Sequence, residues 1–214
     1  MTLQNAFTHA GTTSDTFLRE NLDWLNLAAN WSKFSATAGL GVIHKGYFEQ
    51  GKTILGPYLP TTGGESTQPY QEGGALYALG LINAGFGSEV IQYLRDTLKN
   101  STNEIVQHGA ALGLGVAGMG SKSVEAFDDL KTVLFTDSAV AGEAAGYAMG
   151  LVMLGTAAGE PAREMLQYAR ETQHEKIIRG LAMGTAFVYY ARQEEADVTI
   201  KVLLAEKVLL LPVQ

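Results

Sequence analysis

GALYALGLINAG, residues 74–85, decides the fold because it returns four more times in altered form. SATAGLGVIHKG (35–46), GAALGLGVAGMG (109–120), AAGYAMGLVMLG (144–155) and IRGLAMGTAFVY (178–189) share its order of small and apolar residues. Recurrence at a period of roughly 20–50 residues marks a repeat architecture. Taking Gly41, Gly80, Gly115, Gly150 and Gly184 as equivalent gives spacings of 39, 35, 35 and 34. Two residues before these stand Gly39, Ala78, Gly113, Ala148 and Ala182. Five residues after stand Gly46, Gly85, Gly120 and Gly155, with Tyr189 breaking the rule in the last copy.

Each segment reads as a helix, being too long for a strand and free of proline. The trailing glycine fits the C′ position, where φ turns positive. Ser101-Thr-Asn-Glu104 and Thr172-Gln-His-Glu175 have the spacing of capping boxes, and Pro69 and Pro161 suit a first helical turn. An interior glycine costs a helix about 1 kcal/mol against alanine. Accepting that cost in every copy implies a compensation, namely backbones approaching where no side chain fits.

An amphipathic helix follows each middle copy. Val90, Ile91, Tyr93, Leu94 and Leu98 form its apolar set in 88–99. In 123–135 the set is Val124, Phe127, Leu130, Val133 and Leu134, and in 161–173 it is Met165, Leu166 and Tyr168. A buried Gly/Ala helix, a turn and a half-exposed helix, repeated, make an all-α fold, an α-solenoid of helix pairs. Residues 1–33, with Phe17, Leu18, Leu22, Trp24, Leu25, Leu27 and Trp31, read as a leading helix pair around a Gly11–Ser14 turn. Residues 34–214 read as one continuous domain of about five repeats. The stretch 60–69, PTTGGESTQP, is the longest expected loop, and 198–213 is apolar through Val202, Leu203, Leu204, Val208, Leu209, Leu210 and Leu211.

Composition narrows the functions. With 15 basic and 22 acidic residues the net charge is −7, and the pI near 5.1 gives no electrostatic footprint for nucleic acid. No cysteine is present, which excludes disulfide scaffolds, zinc ribbons and thiol nucleophiles. The uncharged stretches 73–88, 105–121 and 144–159 are 16, 17 and 16 residues long, short of a membrane span and rich in Gly and Ala. Met1-Thr-Leu-Gln-Asn has neither a basic start nor a short apolar core after it, so no secretory signal is expected there.

Gly46-Tyr-Phe-Glu-Gln-Gly51-Lys52-Thr53 matches the P-loop pattern literally. A P-loop needs a strand before it, whereas Gly46 ends a helical repeat copy, so repeat packing is the favoured reading. Gly46, Gly51, Lys52 and Thr53 stand as the alternative, nucleotide-binding reading. Val133-Leu-Phe-Thr-Asp137 is a faint Walker B look-alike at a helix end. Gly113-Leu-Gly-Val-Ala-Gly118 matches a dinucleotide fingerprint without its strand. Asp128 and Asp129 are paired carboxylates with no answering cluster. His9, His44, His108 and His174 have no ligand spacing, with His44 and His174 expected at capped or exposed helix ends. Glu143 and Arg179 are isolated charges in apolar copies, expected to pair between adjacent repeats. No catalytic residue, metal or cofactor is expected.

HAGTTSDTFLRENLDWL (9–25), KFSATAGLGVIHKG (33–46), YQEGGALYALGLI (70–82), GEAAGYAMGLVMLG (142–155) and ETQHEKIIRGLAMG (171–184) resemble the proteasome/cyclosome (PC) repeat proteins of the 26S proteasome base. The resemblance covers about residues 6–200. It implies a non-enzymatic scaffold of the regulatory particle in cytoplasm and nucleus, contacting the ATPase ring and other regulatory subunits in ubiquitin-dependent degradation. It also implies that these repeats form an open arc of an α-toroid. After Asp197 the chain departs from the family pattern, as an excised segment or a short homologue would. An open end exposing apolar helix surface predicts self-association into a homo-oligomer. A stand-alone helical-repeat adaptor is the remaining alternative.

Overall fold

A computed structural model describes residues 1–21, 28–61 and 66–206, and every regular element among them is helical. In chain order these are α1 (Thr2–Thr8), α2 (Thr16–Glu20), α3 (Trp31–Ile43), α4 (Phe48–Leu55), α5 (Pro69–Ile82), α6 (Ile91–Asn100), α7 (Glu104–Ala117), α8 (Val124–Leu134), α9 (Ala139–Val152), α10 (Gly159–Glu171), α11 (Glu175–Val188) and α12 (Asp197–Glu206). Short 3₁₀ turns cover Gly56–Tyr58 and Gln193–Ala196. Leu22, Trp24, Leu25, Leu27, residues 62–65 of the expected loop, and Val208, Leu209, Leu210 and Leu211 lie outside the described residues. None of the described helices is long and apolar enough to cross a membrane.

The chain divides into two compact units, Met1–Gly118 and Met119–Gln214. In the first, α1, α3, α5 and α7 are successive inner helices, each packed on the next, while α4 packs on α5 and α6 on α7. In the second, α9 packs on α11, α8 on α9 and α10 on α11. An outer helix therefore covers the inner helix that follows it. This is α-solenoid packing of helix pairs.

The two helix types bury themselves differently. Along α5, Gly73, Gly74, Ala75, Leu76, Ala78, Leu79, Gly80 and Ile82 are all buried, so the helix is covered nearly all round. α6 instead buries one stripe through Leu94 and Leu98, both fully inaccessible. α8 buries Phe127, Leu130, Val133 and Leu134, but Val124, expected in that stripe, is 62% exposed because it opens the helix away from the core.

Helix starts come from Asn103, Ser123 and Ser138, whose side chains accept backbone N–H bonds from the first turns of α7, α8 and α9. Neither expected capping box forms. Ser101 Oγ accepts from the Asn103 N–H at 3.2 Å and Thr172 Oγ1 from the His174 N–H at 3.2 Å, so both hydroxyls shape the turn before the helix. Glu104 and Glu175 are then the first helical residues rather than the third turn position. Pro69 and Pro161 do lie in first turns.

The small residues face one another across the seam. A Cβ built on Gly41 would lie 2.5 Å from the Ala78 backbone, and one on Gly80 would overlap Gly113. One on Gly150 would overlap Gly184. That last contact corrects the sequence register. Gly184 does not match Gly41, Gly80 and Gly150; it sits where Ala78 and Gly113 sit, opposite the equivalent glycine of the preceding helix. The true fifth counterpart is Ala186, eleven residues after the start of α11, as Gly80, Gly115 and Gly150 are eleven after the starts of α5, α7 and α9. Gly-for-Ala exchange had shifted the apparent alignment by two residues.

The turn glycines Gly46, Gly85, Gly120 and Gly155 have φ of +87°, +73°, +69° and +64°. They stand one place later than expected, at C″, because each helix ends three residues before them. Their N–H groups do not cap their own helix. They donate to the end of the next inner helix: Gly46 to Ile82 at 3.0 Å, Gly85 to Val116 at 3.0 Å, Gly120 to Leu151 at 2.9 Å and Gly155 to Phe187 at 3.0 Å. Two residues on, Gly87, Lys122 and Ala157 donate to Ala117, Val152 and Val188 at 3.2, 3.1 and 3.0 Å. A helix leaves its last carbonyls without partners, and here the preceding repeat supplies them. Gly11 (φ +68°) and Thr13 do the same for Val42 and Ile43 at 3.0 and 3.1 Å, so the leading pair is built like a repeat. In the last copy Ala191 (φ +58°) takes the place assigned to Tyr189.

Candidate functional site

Gly46–Thr53 is not a phosphate loop. The helix α3 precedes it, the Gly46 N–H is bonded to Ile82, and Gly51, Lys52 and Thr53 lie within α4. The Gly51 N–H is likewise taken, by Tyr47 at 3.1 Å. Both glycine N–H groups of the pattern are therefore unavailable to cradle a phosphate. Gly113 and Gly115 are buried inside α7, and Gly118 is its cap.

Among the described residues, no three His, Asp or Glu side chains converge to hold a metal ion. Asp128 pairs with Lys131 at 3.0 Å. His108 stands edge-on to Trp31 and Phe34, with ring centroids 5.0 and 5.6 Å apart. His174 is half-exposed, its Nε2 3.5 Å from Asp137 Oδ2. His44 is the C-cap residue of α3, and of the two expectations for a helix end exposure is the one it does not meet: it is 3% exposed and its Nε2 lies 3.3 Å from Asp15 Oδ2. The turn from α1 to α2 folds over the end of α3 and encloses it.

Glu143 and Arg179 do pair between inner helices, Oε1 to Nε at 3.6 Å, with Glu143 far less exposed than Arg179. Burial and, next, the Glu143 charge raise the pKa of Tyr147 beside them.

The richest polar cluster was not singled out from sequence for its role. Asp137, at φ +55° just beyond α8, accepts from Thr172 Oγ1 at 2.8 Å and Tyr168 OH at 3.0 Å. Burial, followed by the Asp137 bond and charge, pushes the Tyr168 pKa up to about 12. In the last turn of α8, six residues before Asp137, Lys131 Nζ donates to Glu164 at 3.0 Å, and the Glu164 and Asp128 bonds raise its pKa. Between these two cross-links α8 and α10 leave a cleft of about 220 Å³. Asp137 and Thr172 are 35 residues apart, one repeat period, which is the signal that could have joined them.

The proteasome/cyclosome repeat profile matches residues 74–107 and 109–143. Over 198 residues the chain is 62% identical to the 26S proteasome non-ATPase regulatory subunit 1 homolog A of Arabidopsis thaliana, covering 92% of this chain and 20% of that protein. It is 57% identical to the 26S proteasome regulatory subunit rpn2 of Schizosaccharomyces pombe, over 94% of this chain and 21% of that one. Against the 26S proteasome non-ATPase regulatory subunit 1 of Drosophila melanogaster it is 52% identical, over 96% and 20%. The chain belongs to the PC-repeat family. It spans about a fifth of the length of these curated relatives. Each matched PC repeat runs from an inner helix through its turn and outer helix into the start of the next inner helix.

Proposed function

We propose that this chain is a non-enzymatic PC-repeat scaffold of the 26S proteasome regulatory particle, serving ubiquitin-dependent degradation in cytoplasm and nucleus. Its partners are the ATPase ring and other regulatory subunits, with no part for nucleic acid, membrane or cofactor. The reading by domains is a leading pair, 1–33, and about five repeats, 34–214, forming an arc of a larger ring. The observation that carries it is 62% identity, across 92% of the chain, to a protein named as a proteasome regulatory subunit. Inner helices spend their surfaces on each other, which leaves outer helices and turns for partners.

Tagged chain expressed in cells and sedimented through a glycerol gradient tests this. Co-migration with regulatory-particle subunits is expected. Migration apart from the particle, with other proteins bound, would make the chain a stand-alone adaptor instead.

The isolated chain is also proposed to self-associate. Val198, Ile200, Val202 and Leu204 are all exposed on α12, with Val198 at 72%. Light scattering over a concentration series reads this directly, and a monomer throughout would refute it.

A further inference from the structure

We propose that the cleft between α8 and α10 is a docking site for a basic protein segment that inserts one large apolar side chain. This deepens the scaffold reading to one surface and one class of partner.

The floor of the cleft is Leu134 and the inner-helix residue Met149, both 1% exposed. Phe135 and Tyr168 line it side by side, packed on each other with ring centroids 5.2 Å apart. Phe135 is 60% exposed, so its ring is open to a partner beside that buried floor. At about 220 Å³ the space is below the roughly 300–1,000 Å³ of a small-molecule site. It suits a single anchoring side chain, the usual unit of a binding hot spot.

Charge says what surrounds that anchor. Glu164 and Glu171 line the cleft with Lys131, and Asp128 and Asp137 stand behind it, bonded to the lining residues Lys131 and Tyr168. That lysine is already held 3.0 Å from both Asp128 and Glu164, so the rim presents net negative charge. Lysines or arginines flanking the anchor complement it.

The cleft is also held in shape before any partner arrives. Lys131–Glu164 pins one end, and the Thr172 and Tyr168 bonds to Asp137 pin the other. A preformed site avoids ordering costs on binding.

Fluorescence anisotropy of the whole chain with labelled peptide KRLFKK tests the assignment, with KRAAKK and EELFEE as controls. Saturable binding of KRLFKK is expected, weakened at least about fivefold by Phe135→Ala and by Glu171→Lys, and falling with salt. Both positions are exposed, so both variants keep the fold, and circular dichroism checks it. No saturable binding, equal binding of either control peptide, or unchanged affinity in both variants would overturn the proposal. The assay needs no proteasome, so its failure leaves the co-sedimentation result standing, and the reverse also holds.

Discussion

Gly80 and Gly113 meet backbone to backbone, so close that a Cβ on Gly80 would overlap the Gly113 Cα and carbonyl. Gly39, in the same type of seam, leaves 3.4 Å to the Ala6 side chain. Gly80→Ala is therefore expected to cost about 2–4 kcal/mol, since two backbones must separate. Gly39→Ala, which gains helix propensity at an ordinary contact distance, is expected to stabilise by up to about 1 kcal/mol. Urea unfolding of both variants separates the cases, and equal losses would contradict the close-approach account.

Ala157 and Ala191 hold φ of +52° and +58°, a conformation that costs an L-residue about 1–2 kcal/mol. Ala157→Gly is expected to raise stability by up to about 1 kcal/mol, with its N–H still bonded to Val188 at 3.0 Å. Glycine's extra freedom in the unfolded chain sets that ceiling. A fall in thermal midpoint would count against it.

Tyr168 donates to Asp137, and its folded pKa of about 12 lies above the ordinary value of 10. The raised pKa means that this contribution is complete below pH 10 and is lost as pH climbs through 12. Burial raises Tyr77, Tyr93 and Tyr147 as well, giving a shared alkaline slope. Tyr168→Phe should flatten that slope between pH 10 and 12 in a melting series. An identical slope in the variant would dissociate Tyr168 from the alkaline loss.

Asp137→Ala removes the acceptor of both Thr172 and Tyr168 and is expected to cost about 1–3 kcal/mol. Asp137→Asn keeps an acceptor oxygen and tolerates the φ of +55°, so it should cost clearly less. Chemical denaturation of the pair reads the difference.

Glu143 and Arg179 lie 3.6 Å apart with the arginine 59% exposed. A double-mutant cycle should give a coupling of about 0.2–1 kcal/mol that fades as salt rises. A larger coupling, insensitive to salt, would mean the pair is more enclosed than its surface suggests.

The helix pairs were legible because a buried Gly/Ala helix and a one-sided outer helix leave different residue patterns. The Glu143–Arg179 pair was legible because isolated charges in apolar copies need partners. Gly184 was misplaced because glycine and alanine exchange freely along a seam where both are small; contact across the seam, rather than composition, assigns the register. The capping boxes failed because Ser101 and Thr172 bond backbone N–H groups before the helix begins. The helix-end position of His44 was legible, but its burial was not, because its cover, the α1–α2 turn with Asp15, lies 29 residues earlier in the chain. The donors for each helix end were hidden for a similar reason, belonging to the repeat before.

That last arrangement has a direction in time. Gly155 and Ala157 are translated before Phe187 and Val188, and every other donor in the series likewise precedes its acceptor. At roughly 5–20 residues per second the lag over some thirty residues is about 2–6 s, whereas a helix forms in about 0.1–1 μs. Each new inner helix thus emerges to find its terminal hydrogen-bond donors already waiting on finished protein. The ribosome builds this array by templating, each repeat serving as the mould for the end of the next.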